Sequence, residues 1–151
     1  MKIAVITGAS SGMGREFAKG IDAEERLDEI WLIARRRDRP EELSAQLRAR
    51  VRVVALDLLD PASFDEYAAL LEREKPLVST LCNAAGFGRF ALFDEVDLKT
   101  NLRMIDLNDK ATVAMTQLTL PYMKRGSRVL NLDSLSAFQA VPYECIYGAT
   151  K

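Results

Sequence analysis

Apolar residues recur along the chain in short runs separated by longer stretches of helical spacing. Ile3-Ala4-Val5-Ile6 is apolar, rich in β-branched residues, and ends in Thr7-Gly8; it predicts a buried parallel strand. Four more such runs follow: Ile30-Trp31-Leu32-Ile33-Ala34, Val51-Arg52-Val53-Val54-Ala55-Leu56, Leu77-Val78-Ser79-Thr80-Leu81-Cys82 and Val129-Leu130-Asn131-Leu132. Helical spacing predicts a helix from Gly12 into the low twenties, with Phe17, Ala18 and Ile21 facing inward. A second helix starts at Pro40 and runs through Glu41 to Arg48. Asp60-Pro61 reads as a cap with proline at the first helical position, leading into Ala62 to Arg73. Gly86-Phe87-Gly88 breaks the chain into a loop, and a long helix is expected over about Leu98 to Met123. Strands alternating with helices predict an α/β fold on a doubly wound parallel sheet.

Composition narrows this picture. At 151 residues the chain has room for one domain, 1–151, with its own core. It is 48% hydrophobic and 28% charged, as in ordinary globular proteins, and 21 basic residues nearly balance 22 acidic ones. A net charge of -1 provides no field for capturing nucleic acid or an anionic membrane. No apolar run approaches a membrane span, and no secretory leader pattern precedes the first strand. The two cysteines, Cys82 and Cys145, have neither metal-site nor redox spacing, which points to a cytoplasmic protein without a metal. There is no histidine, so proton chemistry falls to Tyr, Lys, Cys, Asp or Glu.

The first strand ends in Thr7-Gly8-Ala9-Ser10-Ser11-Gly12-Met13-Gly14. Gly8 permits a tight turn, Gly12 lets the backbone approach a pyrophosphate, and Gly14 allows close helix packing. The helix N-terminus beyond presents free N–H groups and a positive dipole end to phosphates. The second strand ends Ile33-Ala34-Arg35-Arg36. Ala34 stands where an acid would grip the ribose 2′-hydroxyl of NAD, and Arg35 offers a fork of donors to a 2′-phosphate. This predicts NADP(H) in preference to NAD(H); the competing reading makes Arg35 to Arg39 a solvated turn. Tyr147 and Lys151 are i and i+4, one face of a helix, where an ammonium stabilises a phenolate.

The T-G-x-x-x-G-x-G spacing, with later segments in matching order, resembles the short-chain dehydrogenase/reductase family. Asp57-Leu58, after the third strand, fits the family's acidic position beside the adenine ring, although Asp57 also has the chemistry of a cap. Asn83-Ala84-Ala85-Gly86 fits the family's N-A-A-G motif after the fourth strand. Asn108 fits the asparagine of the long helix. Ser134 and Tyr147-Gly148-Ala149-Thr150-Lys151 fit the serine and the Y-x-x-x-K. Ser136 rivals Ser134, but Ser134 lies thirteen positions before Tyr147, which suits the family. Tyr143 rivals Tyr147 but has no lysine four residues on. Asp133 departs from the pattern, which has a small hydroxyl residue there, and could bring an unpaired carboxylate inside at a cost of a few kcal/mol.

The resemblance implies a Rossmann-like sheet of order 3-2-1-4-5 and hydride transfer between a nicotinamide and a small carbonyl or alcohol. It makes Asn108, Ser134, Tyr147 and Lys151 the catalytic set. Gly8, Ser10, Ser11, Gly12, Met13, Gly14, Arg35, Asp57, Leu58, Asn83, Ala84, Gly86, Tyr147 and Lys151 hold the cofactor, Asn83 by tying strands together. The chain ends where the catalytic motif ends. It is therefore expected to be a truncated member lacking the family's last strands, association-prone and poorly active, whereas the complete form is a homo-oligomer. Two alternatives stand beside this reading: a non-catalytic cofactor-binding remnant, and a sugar-nucleotide epimerase or dehydratase of the extended branch. The latter's usual G-x-x-G-x-x-G is not the spacing here. A methyltransferase would want an acid at the end of the second strand.

Overall fold

The computed structural model describes residues 1–9, 12–35 and 43–151. Five parallel strands form one sheet: β1 (Lys2–Thr7), β2 (Glu29–Ala34), β3 (Arg50–Ala55), β4 (Leu77–Asn83) and β5 (Met123–Asn131). Their order is β3-β2-β1-β4-β5, as expected. Successive side chains of a strand point to opposite faces, and here both faces are apolar. Ile3, Val5, Trp31 and Ile33 enter one core with Tyr67, Leu71 and Met115. Ala4, Ile6, Ile30 and Leu32 enter the other with Ala18, Ile21 and Leu43. The first core is covered by α2 (Ala62–Glu74) and α4 (Ala111–Thr119), the second by α1 (Gly12–Glu24). Between α2 and α4 the buried Tyr67 and Thr119 hydroxyls bond at 2.8 Å, which satisfies both in an apolar layer.

Three expected elements change. In α1 the buried positions are Gly14, Ala18, Ile21 and Asp22, and Phe17 is exposed. Asp22 is the inward polar residue, and its carboxylate accepts the Arg48 and Ala49 N–H groups, fixing the approach to β3. The long helix is divided. After α3 (Leu98–Ile105), capped by Asp97, comes a π turn (Asp106–Lys110), then α4, then a 3₁₀ turn (Leu120–Tyr122). It stops before Met123 because Pro121 supplies no N–H and disfavours helix in the residue before it. β5 starts at Met123, six residues earlier than expected, but its regular pairing with β4 begins at Arg128; the irregular part contains Gly126 at φ +92. The helix expected from Pro40 lies partly outside the described residues; Leu43 and Ser44 are helical and a turn follows.

Candidate active site

The chain leaves β1 toward β2 and β3 on one side, then returns to place β4 on the other side of β1. Loops at the C-terminal ends of β1 and β4 therefore diverge, and a crevice opens between them. Thr7 Oγ1 holds its floor by accepting the Ala84 and Ala85 N–H groups, each at 3.0 Å. Gly8 follows at φ +67, and a Cβ there would stand 2.7 Å from the Ala84 carbonyl oxygen. Only glycine fits this turn. Gly14 packs so tightly on the Gly8 carbonyl that it too has no room for a side chain.

A cleft of about 600 Å³ follows the strand ends in sheet order. Its walls are Leu56 to Leu59 after β3, Ala34 and Arg35 after β2, Gly8, Met13 and Gly14 after β1, and Ala84 to Phe87 after β4. Thr100, Arg103 and Leu107 close it from α3 and the π turn. Of the expected cofactor residues, Gly8, Met13, Gly14, Arg35, Asp57, Leu58, Ala84 and Gly86 thus share one cleft. Gly12, at φ +61, faces open space beside it. Ser10 and Ser11 lie outside the described residues. Asp57 caps no helix; its Oδ1 accepts the Leu59 N–H at 3.1 Å and holds the turn after β3. Asn83 does not line the cleft. Its Nδ2 donates to Asn131 Oδ1 at 2.8 Å and Thr116 Oγ1 at 2.9 Å, tying β4 to β5 and α4.

The expected catalytic residues lie beyond Gly86, Asn108 on the π turn, Ser134 on the loop after β5, Tyr147 on α5 (Cys145–Ala149) and Lys151 just past it. Asn108 is buried in the π turn, a distortion that recurs at functional sites. Its Oδ1 accepts the Phe87 N–H at 3.0 Å, and its Nδ2 donates to the Phe87 carbonyl at 3.0 Å and Thr150 Oγ1 at 2.8 Å. A Cβ on Gly86 would meet Asn108 Oδ1 at 2.9 Å and Lys151 Nζ at 3.6 Å. The Lys151 ammonium donates to the Leu132 carbonyl at 2.9 Å and lies 5.8 Å from the centroid of the Tyr147 ring. α5 ends at Ala149, so Lys151 lies past the helix rather than on its face. Tyr147 packs against Gly88, where a Cβ would come within 2.9 Å of the ring.

Ser134 opens a 3₁₀ turn (Leu135–Ala137), and its Oγ accepts the Ser136 N–H at 3.2 Å. Asp133 is exposed, and its carboxylate accepts the Ser134 N–H at 2.8 Å, so no charge is buried there. Tyr143 is exposed, at φ +69, its ring centroid 5.6 Å from that of Phe90. Four positions escaped the sequence reading. Thr100, Arg103 and Leu107 fall three and four apart, one helix face, and that face was legible. Glu144 had no such signal; its carboxylate accepts the Ser136 hydroxyl at 2.6 Å. Among the described residues no group of three or more His, Cys, Asp and Glu could hold a metal, and no helix is long and apolar enough to cross a membrane.

A family model described as short chain dehydrogenase matches residues 2–151. The chain is 32% identical to an uncharacterised oxidoreductase of Staphylococcus epidermidis, matching 99% of this chain and 65% of that protein. It is 34% identical to sulfoacetaldehyde reductase 2 of Chromohalobacter salexigens, over 99% of this chain and 61% of that one. Among solved structures it is similar to a short-chain dehydrogenase of Sphingobium yanoikuyae in complex with NADPH. The TM-score is 0.86 at 29% identity, covering all of this chain and 61% of the other. The chain thus spans a little under two thirds of the length of these relatives.

Proposed function

Because the chain belongs to the short-chain dehydrogenase family, we propose that it serves hydride transfer between a nicotinamide dinucleotide, NADP(H) before NAD(H), and a small carbonyl or alcohol. The observation that carries this reading is the meeting at Gly86: the cleft along the strand ends touches there the cluster of Asn108, Lys151 and Tyr147. The donor set and steric relief of the cleft suit such a cofactor. The Gly8 turn and the start of α1 would offer backbone to a pyrophosphate, Asp57 and Leu58 would hold an adenine, and Arg35 would take a 2′-phosphate. Bound there, the cofactor supplies the hydride and the protein supplies position and electrostatics.

Tyr147 gives its phenolic proton to the carbonyl oxygen in reduction and takes the alcohol proton in oxidation. Lys151, its ammonium 5.8 Å from the centroid of the Tyr147 ring, brings a positive charge beside the reacting group. Ser134 donates a hydrogen bond to the substrate oxygen and steadies its developing charge. Asn108 acts through the backbone: it pins Phe87, and with it the loop bearing Gly86 and Gly88, against Thr150.

The test separates chemistry from binding. In an active protein carrying this sequence, Tyr147→Phe should lower turnover by roughly 10²–10⁴-fold and leave cofactor affinity within a few-fold. Near-normal turnover would remove Tyr147 from the mechanism. Cofactor binding with no turnover in any folded preparation would favour a cofactor-binding module instead.

A further inference from the structure

Ser134 and Ser136 stand side by side, their Oγ atoms 3.2 Å apart, and either hydroxyl could serve a substrate oxygen. The hydrogen bonds separate them. A carboxylate can only accept, and Glu144 Oε2 takes the Ser136 hydroxyl at 2.6 Å, the length of a charge-assisted bond. The single hydroxyl proton of Ser136 is thereby committed. Ser136 Oγ can then only accept from Ser134 across the longer 3.2 Å contact, while its backbone N–H fills one lone pair of Ser134 Oγ. Ser134 is left holding a proton it can redirect to a substrate oxygen at the loss of one long, weak bond. Glu144 opens α5, and its carbonyl accepts the Gly148 N–H at 2.7 Å, so the same residue joins the serine turn to the helix carrying Tyr147.

We propose that Glu144 is a positioning residue that selects Ser134 over Ser136 as the substrate's hydrogen-bond donor, by holding the Ser136 hydroxyl on its carboxylate. The inference rests on the reading of Ser134 as the substrate's partner. Its distinctive consequence is a rescue. In Glu144→Ala the Ser136 proton is released and can serve the substrate oxygen when Ser134 is missing.

Two measurements test it. The first needs no turnover. Proton NMR of the chain at low temperature should show a slowly exchanging hydroxyl resonance, assigned to Ser136 by its loss in Ser136→Ala. It should vanish in Glu144→Ala while the amide spectrum keeps its folded dispersion. A parent spectrum without it, or a resonance that survives Glu144→Ala, overturns the tether. The second is kinetic, on an active protein carrying this sequence, with NADPH and small ketones. Ser134→Ala should lower turnover about 100-fold, and Glu144→Ala added to it should restore about tenfold. A purely structural staple predicts a double variant no better than Ser134→Ala alone, and that result overturns the selection. If Ser134→Ala costs nothing, the assignment of Ser134 has failed, while the resonance still decides the tether.

Discussion

Gly88 shows how little room the site leaves for a single atom. A methyl group there would stand 2.9 Å from Cδ2 of Tyr147, closer than two carbons approach, so the ring would have to turn aside. Displacing a reacting group by about 1 Å costs on the order of 100-fold in rate. Gly88→Ala should therefore cut turnover by tenfold or more, with thermal unfolding showing that the fold persists; unchanged turnover would place the Tyr147 hydroxyl elsewhere. Residues of this kind were unevenly legible. Gly8 and Gly14 carry a spacing with a known mechanical use, and both have the crowded surroundings expected. Gly88 had only its place in a loop-forming Gly-Phe-Gly. Glu144 acts across eight residues through one hydroxyl, which no periodicity records. Asp133 could lie inside only if strand alternation ran on past Asn131, where β5 has ended and the chain is turning.

At the scale of elements, the π turn Asp106–Lys110 matters most. It interrupts a run of helix that the apolar pattern presents as continuous from Leu98 onward. Within it Asn108 gathers three polar groups, the Phe87 N–H and carbonyl and the Thr150 hydroxyl. Asn108→Ala would leave them without these bonds, at a cost of about 1–3 kcal/mol. Denaturant titration should show that loss as a lower midpoint with an unchanged slope; a midpoint equal to the parent's would mean that the loop holds itself in place. The strands were read well because buried parallel strands are continuous apolar runs with few rivals. β5 was read short because Lys124 to Ser127 carry no apolar side chain: Met123 packs on the core, and the Ser127 hydroxyl donates to the Val78 carbonyl at 2.8 Å.

Across the molecule, one clasp links α1 to both central and edge strands. Glu25, just past α1, accepts the Thr80 hydroxyl at 2.6 Å and pairs with Lys2 of β1 and Arg128 of β5. Burial pushes its carboxyl up, but bonds from Thr80, Ser79, Arg128 and Lys2 outweigh it and hold the carboxyl down to about 2 against an ordinary 4.5. Stability from this depressed carboxylate is fully present above about pH 4.5 and is lost as pH falls through about 2. Glu25→Gln should start less stable at neutral pH and lose less between pH 4.5 and 2. Parallel losses in parent and variant across that window would show that the clasp contributes no linkage.

The central claim is that the crevice at the strand ends is a nicotinamide dinucleotide site read by Arg35. Calorimetric titration of the chain with NADPH and NADH, repeated on Arg35→Asp, tests it most directly. The account predicts saturable one-to-one binding, tighter for NADPH, with the order reversed in Arg35→Asp because a carboxylate repels a 2′-phosphate and accepts from a 2′-hydroxyl. Equal or tighter binding of NADH by the parent, or no binding of either dinucleotide, would contradict it.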